Sequence, residues 1–227
     1  MKQLLAVFVA AGVATTLWAA DQNQEETQRL KASADVLQEI MGTPDKGIPT
    51  DLFHKAQCVI VIPSMKKAGF VFSGKYGRGY ASCRTEAGAW SAPAAMRIEG
   101  GGFGFQAGGS ATDVVMLVMS KKGMNGILSS KFTLGGEASV AAGPVGREAT
   151  AQTDASMRAD ILSWSRSRGI FGGISLQGAT LRPDEDADKA LYGQKVNSKD
   201  VLTGQEKDVS PDPFTKELDQ YGGSQRS

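Results

Sequence analysis

Between Cys58 and Ala142 the chain lays down six short apolar runs: Cys58–Ile62, Gly69–Ser73, Gly79–Cys83, Ala89–Ile98, Ala111–Ser120 and Phe132–Ala142. Turns containing glycine separate them, and runs this close leave no room for crossover helices. Antiparallel pairing is therefore favoured over βαβ units. The 28 glycines fit such a tightly turned fold, and an aromatic content of 7% argues against a platform for stacking nucleobases. A further pair of runs, near 159–165 and 170–177, extends the pattern, the first readable as strand or helix. Residues 122–129 read as a brief helix or an open loop.

Helices bracket this β-rich centre. Leu30, Ala34, Leu37 and Met41 recur at helical spacing within 24–43, and Gly42 supplies a stop. Residues 48–56 read as a second, short helix with Pro49 in its first turn. After Arg182, Pro183 and a run of acids mark a helix start near 184, ended by Gly193. Residues 197–213 read as a linker to a last short helix near 214–221. The fold class that follows is α+β: one domain with a mainly antiparallel β-sheet or barrel-like core, flanked by N- and C-terminal helices.

The first twenty residues have the form of an export signal. Lys2 leads an uncharged, mostly apolar stretch from Leu4 to Trp18, and Ala19-Ala20 precede Asp21-Gln22-Asn23. The expected location is periplasmic or secreted, with an uncleaved membrane anchor as the alternative. Two readings stand for Cys58 and Cys83: a disulfide in an oxidising compartment, or free thiols packed as small hydrophobes.

Net charge is +1, but it is unevenly spread. Residues 55–97 carry seven cations and one acid, whereas 183–227 carry six cations and ten acids. The basic side concentrates around an expected hairpin. A turn with Lys66 and Lys67 joins two apolar runs, and a glycine-rich turn follows with Lys75 and Arg78. Such an edge suits an anionic surface, each cation contributing about 1 kcal/mol near charged lipid. Equally, charges of this kind protect a strand edge from aggregation.

Catalytic constellations do not emerge. Gly102-Phe103-Gly104-Phe105-Gln106-Ala107 fits G-x-G-x-x-A, but the β-like run Val114–Met119 follows where a helix is needed. There is no G-x-S-x-G, and His54 is the only histidine, so neither a triad nor a zinc site is indicated. Asp184, Asp186 and Asp188 imitate a calcium loop, yet Lys189 and Lys195 occupy positions that need glycine and a bidentate acid. Helix capping is the better reading. No enzyme activity and no cofactor are expected.

Several strings in order resemble the SYLF domain family: 56–63, then Lys66-Lys67-Ala68-Gly69-Phe70, then Gly74-Lys75-Tyr76-Gly77-Arg78-Gly79. Cys83-Arg84, 88–94, the glycine-rich run 100–109, Ser110-Ala111-Thr112-Asp113, 143–147, 165–173 and 197–204 also match. The resemblance assigns 24–205 to a SYLF-like domain, with a signal segment at 1–20 and an acidic tail with a short helix at 206–227. It implies a non-enzymatic lipid-binding module, in a family known for phosphoinositide binding and, in fungi, actin binding. The expected partner is an anionic phospholipid or membrane surface in the cell envelope, not nucleic acid. Lys66, Lys67, Lys75 and Arg78 would contact headgroup phosphates, with Arg84 a candidate that points inward. The alternative is a structural or protein-interaction module of the envelope. The matching N-terminal helix, 24–43, has mixed charges and no cationic face.

Overall fold

The computed structural model describes residues 2–43, 47–69, 72–103, 108–145, 158–167, 170–206 and 212–223. Its centre is a nine-stranded sheet in the order β5-β9-β3-β2-β1-β4-β7-β6, with β8 also paired to β7. The strands are β1 Cys58–Gly69, β2 Phe72–Cys83, β3 Ala94–Phe103, β4 Gly108–Val118, β5 Phe132–Thr133, β6 Val140–Ala142, β7 Ile161–Ser167, β8 Ile170–Gly173 and β9 Thr180–Pro183. All pairings are antiparallel except β6 with β7. The helices are α1 Lys2–Met41, α2 Thr50–Lys55, α3 Lys121–Ile127, α4 Glu185–Tyr192, α5 Ser198–Leu202 and α6 Pro213–Gly222. The α+β class and antiparallel core expected from sequence are what the structure shows.

β1 reads as an unbroken apolar run because it is covered on both faces. Cys58, Ile60 and Ile62 join one core with Met96, Met116 and Leu181, while Val59 and Val61 join a second with Leu37, Phe53 and Trp164. The second core lies under α1 and α6, where Leu30, Ala34, Leu37 and Ile40 of α1 and Phe214 and Leu218 of α6 are buried, while Ile127 of α3 and Val201 and Leu202 of α5 join the first. At about 25 cal/mol per Å² of apolar surface, burying each such side chain contributes roughly 2 kcal/mol.

Several boundaries differ from the sequence reading. α1 is continuous from Lys2, so the segment expected to be a signal and the helix expected from residue 24 form one helix. Lys66 and Lys67 lie within β1, not in a turn, and Gly74–Gly79 belongs to β2. The run 89–98 becomes a strand only from Ala94, and 132–142 divides into β5 and β6. β9 was not anticipated, and α5 forms inside the expected linker.

The β1 differences share a cause. Pro63 has no N–H to give the ladder, and pairing shifts register between Val61 and Lys66. Ser64 takes a positive φ of 51° and donates its N–H to Asp113 Oδ1 at 2.8 Å, outside the ladder. The bulge crowds β2, where a Cβ on Gly79 would lie 1.9 Å from the Val61 carbonyl oxygen. Here glycine serves close backbone approach, not turning.

Cys58 and Cys83 are register partners on β1 and β2 and form a disulfide, both fully buried. Of the two readings left open by the sequence, the structure selects the bridge.

Candidate functional site

Strand pairing brings the β1–β2 and β7–β8 hairpin ends, with the end of β3 and the start of β4, to one end of the sheet. β1 closes at Gly69, opposite Ser73 of β2 and Gly108 of β4, and β3 closes at Phe103, opposite Phe72. β7 closes at Ser167, opposite Ile170 of β8, and the Asp113–Arg166 register holds that hairpin on the same side. Ile170 is 67% exposed and Tyr76 is 47% exposed. Neither was singled out from sequence, because strand alternation leaves an outward residue looking like any other apolar one.

The cations of the β1–β2 hairpin divide between the two faces. Lys67 pairs with Lys75 in register and Lys66 with Tyr76. Lys67 and Lys75 share the face of Met65, both half-buried, while Lys66 is exposed on the helix-side face. Burial, and then the charge of Lys75, push the Lys67 amine below its ordinary value. Two amines facing each other across a strand pair repel unless an anion sits near them.

Arg78 turns inward. Its Nε donates to Asp184 Oδ2 at 2.6 Å, and its other nitrogen lies 3.3 Å from Glu26 Oε1. Burial works against the charge, but the Asp184 hydrogen bond and both carboxylates hold the guanidinium above its ordinary value. Glu26 also pairs with Arg29 and accepts from the Tyr80 hydroxyl at 2.9 Å. Asp184 caps α4, accepting from Ala187 N at 3.4 Å, so the expected capping role is present. One turn on, Asp188 is fully buried and accepts from Ala95 N and Ser198 Oγ, each at 2.6 Å. Burial is the first cause pushing its carboxyl up to about 6.

Arg84 is also committed internally. Its guanidinium stacks 3.8 Å above the Trp90 ring and donates to Gly222 O at 2.9 Å and Gly223 O at 2.5 Å. It thereby fastens the C-terminal end of α6 to the sheet. His54 joins the same contact, its Nδ1 3.0 Å from Gly222 O. Of the five cations singled out from sequence, the structure brings Lys66, Lys67 and Lys75 to the hairpin end and engages Arg78 and Arg84 in buried contacts.

Rival chemistries find no frame. The glycine-rich run leads from β3 into β4, so no helix follows to present amides to a pyrophosphate. Residues 104–107 within it lie outside the described residues. Among the described residues no group of three or more His, Cys, Asp or Glu could hold a metal ion, and no helix is long and apolar enough to cross a membrane.

These features define a class: an α+β domain whose curled, mainly antiparallel sheet carries α1, α2, α4 and α6 on one face, the short α3 and α5 on the other, and a cationic hairpin at one end. A family model described as "Ysc84: Las17-binding protein actin regulator" matches residues 99–221, more than half of the chain. The chain belongs to this family, the one the SYLF resemblance pointed to. It is similar to an SH3 domain-containing protein of Schizosaccharomyces pombe, 39% identical over 70% of this chain and 37% of that protein. It is similar to LAS seventeen-binding protein 3 of Saccharomyces cerevisiae, 35% identical over 77% of this chain and 38% of that protein. SH3 domain-containing YSC84-like protein 1 of Xenopus laevis is 35% identical over 71% of this chain and 49% of its own length. The chain thus spans less than half the length of these curated relatives.

Proposed function

We propose that this chain is a non-enzymatic module that binds an anionic membrane surface through the hairpin end of its sheet, in the cell envelope. The observation that carries the reading is the gathering there of Lys66, Lys67 and Lys75 with the exposed side chains of Tyr76 and Ile170. Cations meet headgroup phosphates, and an exposed tyrosine and isoleucine suit the boundary between headgroups and acyl chains. The apolar face of α1 is spent against the sheet at Leu30, Ala34, Leu37 and Ile40, which turns attention from that helix to the hairpins. The lysine-led apolar segment before residue 20 supports export to the envelope.

Co-sedimentation with anionic and neutral vesicles tests this. Binding is expected only to anionic vesicles, and Lys66→Glu with Lys67→Glu is expected to weaken it by roughly tenfold or more. Unchanged binding by the double variant would sink the hairpin version. A second reading, a protein-interaction module, is favoured by the names of relatives that bind Las17 or regulate actin. Pulldown from envelope extract by a protein that ignores vesicles would favour it.

A further inference from the structure

We propose that Arg97 and Arg182, with Tyr76 and Lys66 beside them, form a docking face for an acidic segment of a partner protein. The face is centred on Arg97 and Arg182, which the membrane reading does not use, and it borders the hairpin end, sharing Lys66 and Tyr76 with it. Arg182, Arg97 and Arg78 are successive register partners on β9, β3 and β2. They share the helix-side face with Ala95 and Tyr80, which pack into the core beneath the helices. Like charges directly opposite one another destabilise a sheet, so each arginine in this row needs a compensating anion. Arg78 has two, Asp184 and Glu26.

Arg97 and Arg182 share one carboxylate. Glu99 lies 3.1 Å from Arg97 Nε and 3.8 Å from Arg182 Nε. Both Nε atoms are buried and make no hydrogen bond among the described residues, while the two side chains are 35% and 37% exposed. The solvent-facing part of each fork is therefore open to a ligand. The next row toward the hairpin end runs Glu99, Tyr76, Lys66 in register, with Tyr76 47% exposed and Lys66 exposed.

Arginine and tyrosine are the side chains that most often carry binding energy at protein interfaces. A row spread over four strands (β9, β3, β2 and β1) is a face for a macromolecule, whereas small ligands seek concave sites. Three cations with a single carboxylate among them leave an excess of positive charge, and guanidinium forks bind carboxylates bidentately. An acidic protein segment is the occupant that this chemistry selects.

The test uses the full chain and a labelled oligo-glutamate peptide followed by fluorescence anisotropy. Wild type is expected to bind and to weaken with added salt. Arg97→Gln with Arg182→Gln is expected to weaken binding by about tenfold or more. Lys67→Gln with Lys75→Gln, on the opposite face, is expected to leave it within about twofold. Thermal melts accompany each variant; if the arginine pair fails to fold, Tyr76→Ser is read instead and is expected to weaken binding. Absent binding to wild type, equal losses in both pairs, or displacement by inorganic phosphate at levels where chloride has no effect would each overturn the proposal. The last result would mark a simple oxyanion site.

Discussion

Replacing Arg78 by methionine keeps most of the side-chain volume but strips two buried carboxylates of a shared cation. Asp184 and Glu26 have side chains only 5% and 4% exposed, so neither gains much water in exchange. Breaking a buried pair by removing one partner costs about 3–5 kcal/mol, because the charge left behind is uncompensated. Arg29 still pairs with Glu26, which places the expected loss near the lower end, about 3 kcal/mol. For a domain of this size that corresponds to a melting point lower by roughly 10 °C. Urea unfolding followed by far-ultraviolet circular dichroism reads the loss, with an unchanged slope confirming that the native fold is retained. Adding Asp184→Asn is expected to recover part of it, since the pair is coupled. A loss below about 1 kcal/mol would refute the buried-network reasoning. So would a variant of full stability that no longer binds anionic vesicles, because Arg78 would then be a ligand contact.

Reducing the Cys58–Cys83 bridge, which closes a loop with sequence separation 25, is expected to cost about 3 kcal/mol of unfolding free energy. Denaturant titrations of the wild type with and without reductant check this, with the Cys58→Ala, Cys83→Ala variant as the control that reductant leaves unchanged; an insensitive wild type would count against it. Asp188 gives a pH signature. Its carboxyl is raised to about 6 by burial, so the folded chain holds a proton that the unfolded chain releases. Its contribution to stability is therefore present near pH 4 and is lost as pH rises through 6. Asp188→Asn is expected to flatten stability against pH over that interval, which urea midpoints at successive pH values will show.

Much of the β architecture was legible because its signals are local. The run at 58–62 is apolar at every position, as a strand covered on both faces must be. Asp184 and Pro183 announced α4 through helix-end chemistry. What escaped was non-local. Gly77 read as a turn residue and Gly79 as the start of a strand, yet the role of both is set by Ile62, Met65 and Val61 on the neighbouring strand. Arg78 read as a surface cation, and the inward Arg84 had no visible partner, because Asp184 and Gly222 lie more than a hundred residues away. Arg97 and Arg182 carried no sequence signal of proximity; only the β3–β9 register brings them together.

The bulge at Pro63–Ser64 acts as a change of phase in β1. Up to Ile62, even-numbered residues face the core opposite α1; beyond the bulge Met65 takes that side, and the odd-numbered Lys67 follows it. Taking up one residue in the bulge thus decides which lysine meets Lys75 and which stands beside Tyr76. Pairing without the bulge would carry the alternation on unbroken and exchange the two sides from Met65 to the strand end, sending Lys66 toward Lys75 and Met65 toward α1, whereas deleting Ser64 would leave both sides as they are. The surface charge of this molecule is therefore set less by which residues it carries than by the parity of a single strand.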